Sequence, residues 1–257
     1  MPDHAGDARR AAILTQARDE GSVSVTELAR ALQVATETVR RDLKALVDAG
    51  LVRRTHGGAR PVEGAGFESE LAHRATSMLP EKQRIADAAI EELGNAESVY
   101  IDEGFTPDLV ARGLGRISRP LAVLTNSLAA AQHVSEFAQH TVYIVGGRVR
   151  GRTQATVDEW AQRMLAEFTL DVAVMGANGV NQERGLSTPD PVVAAVKRAA
   201  VAAARRRIFV GIHTKFGVRS FAHFADIADF EVMVTDTGLS NHVAHRLSAL
   251  GPRVIRV

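Results

Sequence analysis

The chain has 257 residues, of which 46% are hydrophobic, and its formal net charge is +1, so it is long enough for two domains with separate cores. It contains no apolar run of the roughly 18 residues that a membrane span needs, and its first ten residues lack the apolar core of a signal peptide, which excludes the membrane and secreted classes and predicts a cytoplasmic protein. The absence of cysteine excludes disulfides and thiolate metal sites, and the nine histidines show no metal-ligand spacing with carboxylates, so the sequence indicates no metal and no cofactor.

Positive charge is concentrated near the N-terminus. Residues 1–60 contain ten Lys and Arg against eight Asp and Glu, whereas the rest of the chain contains 21 against 22. Within residues 36–60 the balance is six basic to three acidic residues. Such an excess suits a polyanionic partner, although an ordinary solvated helix face shows the same pattern.

The first predicted helix covers residues 8–21, ARRAAILTQARDEG. Its spacing places Ala8, Ala11, Ala12, Leu14 and Thr15 near one face. We expect the helix to end at Gly21, because glycine readily adopts the left-handed conformation that terminates helices.

The second predicted helix begins in SVTELARAL. Ser24 and Glu27 have the spacing of a capping box, in which each side chain satisfies a backbone N–H of the first turn. Leu28 and Leu32 are expected to turn inward.

The third predicted helix carries Val39, Leu43, Leu46 and Val47 at positions i, i+4, i+7 and i+8, which places them on one face. The short turn QVAT joins it to the second helix. Two helices joined in this way form a helix-turn-helix, whose second helix enters the major groove with its N-terminal residues at the base edges. The candidate DNA contacts on this helix are Thr36, Glu37, Thr38, Arg40, Arg41 and Lys44.

A basic hairpin is predicted next, in LVRRTHGGARPV, residues 51–62. The pattern indicates a strand, a Gly-Gly turn and a second strand, a β-wing whose arginines reach phosphates or the minor groove. Each feature alone is common, but helix, turn, helix and basic hairpin in this order indicate DNA binding. The candidate contacts in the wing are Arg53, Arg54, His56, Gly57 and Gly58.

The segment TVRRDLKALVDAGLVRRTHGGA, residues 38–59, resembles the N-terminal signature of the DeoR family of bacterial transcriptional regulators. The resemblance covers helix-turn-helix and wing without a gap, and it implies a winged helix-turn-helix DNA-binding domain over residues 1–60. One position departs from the family: Ala35 stands where a serine often caps the recognition helix, and Thr36 supplies a hydroxyl one position later.

A second domain is predicted after a linker. The segment GARPVEGAGFESE carries four Gly or Pro residues close to the wing and no apolar periodicity, and a helical pattern resumes at Pro80. These signals divide the chain into a DNA-binding domain of residues 1–60, a linker of residues 61–79 and a larger domain of residues 80–257.

The larger domain alternates helical patterns with six apolar runs, SVYI, LAVLT, TVYIV, DVAVM, RIFVGI and EVMVT. This alternation predicts an α/β fold with a mainly parallel sheet. Ligands bind outside the carboxyl ends of the strands in such sheets, and small, polar and cationic residues follow these runs. Glycines there let backbone N–H groups approach an anion, and Lys197 and Lys215 offer compact charges in a chain with only four Lys against 27 Arg. The same residue types also make ordinary turns.

The segments YIDEGFTPDLV, VLTNS, VGGR, DVAVMGANGV, VKRA and TKFG resemble successive motifs of the DeoR-family effector domain, which is related in fold to sugar-phosphate isomerases. The resemblance implies a repressor whose DNA binding is altered by a phosphorylated sugar or a related metabolite. By position, it implies a pocket lined by Asp102, Gly104, Thr106, Thr125, Asn126, Ser127, Gly146, Gly147, Arg148, Gly176, Asn178, Gly179, Lys197 and Lys215.

Four positions depart from the family pattern in the effector domain. Phe105 and Pro107 replace small hydroxyl residues, Val193 stands where an acidic residue is common, and Ile212 stands where an aspartate is usual. We expect a pocket that keeps its phosphate side and is more apolar toward the sugar. The acidic losses also remove candidates for the general base that an isomerase requires.

The sequence therefore predicts a DNA-binding transcriptional regulator, most simply a repressor of carbohydrate metabolism genes controlled by a phosphorylated metabolite, and not an enzyme. Because helix-turn-helix proteins usually read two half-sites as symmetric dimers, we expect a homo-oligomer, a dimer or a tetramer, formed through the larger domain. Two alternatives remain open: a sugar-phosphate isomerase-like enzyme fused to a DNA-binding domain, and a regulator that no longer responds to a ligand.

Overall fold

The chain divides into two compact units, residues 1–70 and 71–257. A computed structural model describes residues 6, 9, 10, 12–14, 16, 17, 22–48, 51–55, 57–61, 78–151 and 153–257. The division between the units falls inside the predicted linker of residues 61–79, whose own bounds stay a prediction because residues 62–77 lie outside the described part. Within the described ranges, no helix is long and apolar enough to cross a membrane.

In the first unit, the described residues 6, 9, 10, 12–14, 16 and 17 are helical. Ile13 and Ala17, one helical turn apart, are fully buried in its core. Of the five residues predicted on one face, Ala12 is exposed, Leu14 is half-buried against the core, and Ala8, Ala11 and Thr15 lie outside the described residues. The bulkier Ile13 takes the central place in the core. Gly21, the predicted end of this helix, lies outside the described residues.

A short strand, β1 (Val23–Ser24), leads directly into helix α1 (Val25–Ala31). The predicted capping box at Ser24 was wrong, since the Ser24 side chain makes no capping hydrogen bond. Ser24 instead pairs with Gly58 of the wing, and the backbone N–H of Val25 donates to the carbonyl oxygen of Gly57 at 3.0 Å. The wing backbone thus satisfies the N–H of Val25, a different first-turn group from the one that a capping box would satisfy.

The predicted helix-turn-helix and wing are confirmed. Helix α2 (Thr36–Asp48) follows a tight turn, and Val39, Leu43 and Leu46 are buried as expected, with Val47 half-buried. The wing consists of β2 (Val52–Thr55) and β3 (Gly58–Pro61), and β3 also pairs with β1 to complete a three-stranded antiparallel sheet. A Cβ at Gly58 would lie 1.9 Å from the carbonyl oxygen of Val23, so this close strand approach requires glycine.

The second unit is built on a seven-stranded, wholly parallel sheet. Its strands are β4 (Ser98–Ile101), β5 (Ala122–Thr125), β6 (Thr141–Ile144), β9 (Leu170–Met175), β12 (Ala204–Val210), β14 (Val232–Thr235) and β15 (Arg253–Arg256). All six predicted apolar strands are confirmed. The sequence did not indicate β15, because RVIR is short and has arginines at both ends.

Six helices and two small antiparallel sheets surround this sheet. The helices are α3 (Leu79–Glu91), α4 (Phe105–Gly113), α5 (Leu128–Ser135), α6 (Glu159–Ala166), α7 (Pro191–Ala203) and α8 (Asn241–Ser248). The small sheets are β7 (Arg148–Arg150) with β8 (Ala155–Val157), and β10 (Gly179–Asn181), β11 (Gly185–Thr188) and β13 (Ala222–Ala225). Side chains from the two faces of the parallel sheet enter two separate apolar cores, as in a doubly wound fold.

The strand order in the parallel sheet is β15-β14-β12-β9-β4-β5-β6. From β4 the chain adds β5 and β6 on one side and then returns to add β9, β12, β14 and β15 on the other. The order therefore reverses between β4 and β9. In open parallel sheets this reversal opens a crevice at the carboxyl ends of the strands, where ligands bind.

Candidate functional site

Helix α2 presents the predicted DNA readers on its outer face. Thr38 is half-buried, and all the others are exposed: Thr36, Glu37, Arg40, Arg41 and Lys44. Arg40 Nη1 lies 3.3 Å from Glu37 Oε2, and Lys44 Nζ lies 2.9 Å from Asp48 Oδ2. Exposed pairs of this kind contribute little to stability, so both cations can exchange these partners for a polyanion at small cost.

The wing adds basic side chains beside this helix. Arg53 and Arg54 are exposed on β2, and Arg53 pairs in register with the exposed Arg60 of β3. Arg54 Nη2 donates a hydrogen bond to the carbonyl oxygen of Arg40 at 3.1 Å. The wing is thereby tied to α2.

The two turn glycines of the wing differ in their surroundings, and the histidine before them is not described. Gly57 is exposed and has a φ of +79°, a conformation that favours glycine. Gly58 is buried against β1, so its role in the fold is the close strand approach. His56, the remaining predicted contact in the wing, lies outside the described residues.

Sequence reasoning missed Asp42, which is buried behind the reading face of α2 with only 2% of its surface exposed. Its Oδ2 lies 2.5 Å from Arg9 Nε, and its Oδ1 lies 3.2 Å from Arg9 Nη2 and 3.4 Å from Arg10 Nη1. These ion pairs fix α2 against the first helical segment. The signal was its spacing: Asp42 follows the buried Val39 by three residues and is therefore on the core face.

At the point where the strand order reverses, a buried ion pair closes the end of the sheet. Asp102 directly follows β4, and its Oδ2 accepts hydrogen bonds from the backbone N–H of Gly176, at 2.9 Å, and from Lys197 Nζ. Lys197 Nζ also donates to the carbonyl oxygen of Gly176 at 3.2 Å, and it lies 3.9 Å from Glu103 Oε1. The side chains of Asp102 and Lys197 are 0% and 3% exposed. The structure thus brings three predicted pocket residues together and adds Glu103, which sequence reasoning had not selected.

This cluster holds acceptor atoms that the described residues do not satisfy. Asp102 Oδ1 and Glu103 Oε2 are both buried, and neither has a hydrogen-bond partner within the described part of the chain. Burial raises the pKa of Asp102 to about 6, an effect that the ammonium of Lys197 opposes and the carboxylate of Glu103 reinforces. The cluster is therefore two carboxylates around one ammonium, and each carboxylate has one buried oxygen without a partner among the described residues.

Lys197 was predicted to offer its charge to an anionic ligand; that stays a prediction, and in this structure its ammonium is paired within the protein. Its ammonium is bound to Asp102 and Gly176 and lies 5.5 Å from the centre of the Phe224 ring. Buried positions demand such pairing, since an unpaired charge there is costly. Lys197 therefore orients the carboxylates of the cluster.

The polar side chains of the loop after β5 make their hydrogen bonds almost entirely within the protein. Thr125 Oγ1 donates to the carbonyl oxygen of Ile101 at 2.7 Å and accepts from the backbone N–H of Ser127 at 3.0 Å. Ser127 Oγ caps α5 by accepting from the N–H of Ala130 at 3.3 Å. Asn126 Oδ1 accepts from the buried hydroxyl of Tyr100 at 2.8 Å. These predicted pocket residues shape the loop and present few donors of their own.

The loop after β6 is more open. Gly146, Gly147 and Arg148 are all exposed. The backbone N–H of Arg148 donates to Asp158 Oδ2 at 3.2 Å, and a Cβ at Gly147, whose φ is +134°, would lie 2.5 Å from the carbonyl oxygen of Val157. The guanidinium of Arg148 is thus held at the surface by a well-fixed backbone.

The remaining predicted pocket residues follow β4, β9 and β12. Gly104 precedes α4 with a φ of +125°, and Thr106 is buried in its first turn. Asn178 Oδ1 accepts from Thr188 Oγ1 at 3.1 Å, while Gly179 is packed against the backbone of Val218. Lys215 is half-buried after β12.

A second polar arrangement lies at the carboxyl ends of β12 and β14, in a cleft of about 510 Å³. His213 Nδ1 lies 2.6 Å from Asp236 Oδ1, and the backbone N–H of His213 donates to Asp236 Oδ2 at 2.7 Å. Burial raises the pKa of Asp236, but these bonds and one from the N–H of Gly238 together lower it below its ordinary value. The His213 ring lies against Gly238, where a Cβ would approach Nδ1 to 2.3 Å. The sequence assigned no role to this pair.

The four departures from the family pattern lie in or near apolar packing. Val193 and Ile212 are 3% and 7% exposed in the two cores of the second unit. Pro107 is buried, and Phe105 is half-buried with the ammonium of Lys82 5.2 Å from its ring centre. An acidic side chain at position 193 or 212 of this structure would be buried, so these valine and isoleucine residues are accommodated by core packing.

Comparison with known proteins identifies relatives of both units. Residues 9–64 match the DeoR-like helix-turn-helix domain, and residues 77–237 match the DeoR C terminal sensor domain. The chain is 33% identical over 247 residues to the HTH-type transcriptional regulator GlpR of Haloferax volcanii, covering 96% of both proteins. It is 29% identical over 228 residues to the glycerol-3-phosphate regulon repressor of Escherichia coli, covering 89% of this chain and 90% of that protein. Ribose 5 phosphate isomerase A from Neisseria gonorrhoeae shows 15% identity and a TM-score of 0.40, covering 54% of this chain and 53% of that one.

Proposed function

The chain belongs to the DeoR family of transcriptional regulators, and from this premise we propose that it represses carbohydrate metabolism genes under the control of a small phosphorylated metabolite. Helix α2 and the wing bind an operator, and the larger unit binds the metabolite. The name of the Escherichia coli relative, a glycerol-3-phosphate regulon repressor, supports both the direction of regulation and the ligand class.

Operator binding is supported by the exposed basic side chains of the first unit. Arg40, Arg41 and Lys44 on α2 and Arg53 and Arg54 on the wing form one set around a reading helix. Arginine and lysine contacts to phosphates position a protein on DNA, and a side chain in the first turns of the reading helix discriminates bases. In this proposal Arg40 reads bases and the wing arginines contact the backbone.

The observation that carries the ligand proposal is the pair of unsatisfied buried carboxylate oxygens beside Lys197. Asp102 Oδ1 and Glu103 Oε2 accept hydrogen bonds, and hydroxyl groups are the donors that a sugar or polyol offers. A phosphate group carries no matching donor in its ionised form, so we place the hydroxyl end of the ligand at this cluster. Lys215 lies after β12 and Arg148 after β6, on opposite sides of β4, so the phosphate end faces only one of them. We place it at Lys215, the less exposed of the two.

A regulatory rather than enzymatic role is supported by the relatives, which are named as a transcriptional regulator and a regulon repressor. We therefore expect binding without turnover. An assay of ribose 5-phosphate isomerisation separates this proposal from the enzyme alternative, and any turnover above the rate of an Asp102→Asn variant supports the enzyme.

The experiment that tests the proposal begins with mapping the sites that the protein occupies across its genome. The best site is then titrated with purified protein by fluorescence anisotropy, with and without glycerol 3-phosphate and a panel of sugar phosphates. A defined site beside a carbohydrate gene cluster, bound differently when one phosphorylated compound is present, is the expected result. A defined site that none of these compounds affects keeps the regulator and removes the ligand class.

A further inference from the structure

The outer edge of the parallel sheet is formed by β6, which pairs with β5 on one side and has no strand on the other within the described residues. Thr141, Tyr143 and Ile144 are exposed along it. Natural proteins usually protect such edges with charged residues or proline, because unpaired backbone groups on an apolar strand invite pairing with another chain. The stretch from position 141 to 147, TVYIVGG, has neither a charged residue nor a proline.

Exposed apolar side chains gather at this edge. Nine large hydrophobic side chains of the described residues are exposed, and four of them form what we call the edge patch: Tyr143 at 45%, Ile144 at 41%, Val149 at 48% and Trp160 at 70%. The loop after β6 is joined to the region of Trp160 by the hydrogen bond from Arg148 N–H to Asp158, the residue that caps α6. Contiguous exposed apolar patches on soluble proteins mark interaction sites, and Trp and Tyr are typical of interface centres.

We propose that the edge patch is a homodimer interface in which β6 pairs antiparallel with β6 of a second copy. A strand related to itself by a twofold axis runs antiparallel to its copy, so one surface supplies both sides of the contact. Any other partner would have to provide a free strand of its own. Tyr143 and Ile144 lie on opposite faces of the sheet, so a continuous sheet of two copies covers apolar side chains on both faces.

Charge around the edge patch favours this orientation. The exposed Glu136 precedes β6, and the exposed Arg148 follows it. In antiparallel pairing, the start of β6 in one copy lies beside the end of β6 in the other copy. Glu136 is therefore on the same side as the partner's Arg148, and the twofold axis repeats this arrangement at the other end of the strand pair. Parallel pairing would instead bring like charges together. The strand alone is too small for a stable interface of roughly 800 Å² per copy, so Val149 and Trp160 supply the added area.

This inference rests on the proposed function, because an operator with two half-sites is read by a symmetric dimer. The test compares molar masses of the full chain by light scattering at micromolar concentration. Ile144→Lys places a charge on the unpaired edge, and Phe221→Lys makes the same change at a more exposed apolar residue, 84% exposed, outside the edge patch. We expect Ile144→Lys to halve the mass of the wild-type oligomer and Phe221→Lys to leave it unchanged. Circular dichroism confirms that both variants are folded.

A second measurement uses the wild-type chain and needs no substitution. Backbone amides of residues 141–144 should exchange with solvent more slowly when the protein is concentrated, because the dimer protects the edge. An unchanged mass for Ile144→Lys, or a wild-type chain that is monomeric in solution and on DNA, overturns the interface. If the mass of Ile144→Lys is halved but the wild-type protein occupies no operator site in the genome, the interface is supported and the proposed function is overturned. If both proposals hold, Ile144→Lys also weakens operator binding by on the order of 100-fold through lost bivalency.

Discussion

The two units of this protein use charge in opposite ways. In the first unit, the side chains of Glu37, Arg40 and Lys44 are 71%, 56% and 70% exposed, whereas in the second unit those of Lys197 and Asp102 are 3% and 0% exposed. Exposed charges interact weakly and exchange partners readily, while buried charges depend on the partners that the fold supplies. DNA binding is therefore expected to be a sum of modest contacts, and the ligand site is expected to fail as a unit.

The largest expected effect tests the buried side of this comparison. Lys197→Met leaves two carboxylates buried without their ammonium, and we expect the second unit to lose about 3 kcal/mol in its free energy of unfolding. Urea titration followed by the fluorescence of Trp160 measures this loss, because the chain has a single tryptophan and it lies in the second unit.

Two variants control this measurement. Arg219→Met removes an exposed cation that pairs with Glu183, and we expect a change below about 0.5 kcal/mol. The double variant Asp102→Asn with Lys197→Met should recover much of the lost stability, because it removes most of the charge imbalance. If the double variant is as unstable as the sum of its single changes, the pair is not a coupled unit.

Asp42 is the exception inside the first unit, and it gives the next largest effect. Asp42→Asn removes the charge that Arg9 and Arg10 contact, and we expect α2 to lose about 1.5 to 3 kcal/mol of local stability. Hydrogen exchange of peptides covering residues 36–48 measures the loss. Asp48→Asn breaks the exposed pair with Lys44 on the same helix and should leave exchange nearly unchanged. Equal exchange in both variants would show that burial does not set the strength of these pairs.

The elements of both units were predictable from the sequence because their signals are local. The apolar spacing of Val39, Leu43 and Leu46 predicted the buried face of α2, and six apolar runs predicted six strands of the parallel sheet. The capping box at Ser24 failed for a non-local reason: its pairing with Gly58 depends on a strand more than 30 residues further along the chain.

Site residues could be predicted from the sequence only where their exposure on the surface follows from local periodicity. An exposed arginine on α2 can be placed from helical periodicity alone. The pairing of Lys197 with Asp102 joins residues 95 positions apart, and no pattern near either residue indicates it. The same holds for His213 and Asp236. Strand-end positions were therefore correctly placed at one rim of the sheet, while the partners of their side chains required the fold.

The exposed arginines of the first unit predict a smaller effect, on DNA binding, that differs between operator and random DNA. We expect Arg40→Ala to weaken binding to the operator by about 1 to 3 kcal/mol and to weaken binding to random DNA much less. The reason is that a side chain that reads bases makes its specific contacts only on the operator. Arg54→Ala should weaken both DNAs about equally and lower the salt slope by roughly 0.9, as for one phosphate contact. Anisotropy titrations on both duplexes at several salt concentrations measure these quantities. Equal losses on both DNAs for Arg40→Ala would count against its role as a reader.

The last prediction concerns how the buried pair responds to pH. The pKa of Asp102 is raised from 3.8 to about 6, so between these values the folded protein holds a proton that the unfolded chain has released. The contribution of Asp102 to the free energy of unfolding must therefore fall as pH rises from about 4 to about 6 and stay constant above that range. The double variant of Asp102 and Lys197 has neither group and serves as the reference. The difference between wild type and this reference, from urea titrations at each pH, should decrease across that window. A difference that increases with pH would mean that the pairing with Lys197 outweighs burial and holds this carboxyl below its ordinary pKa.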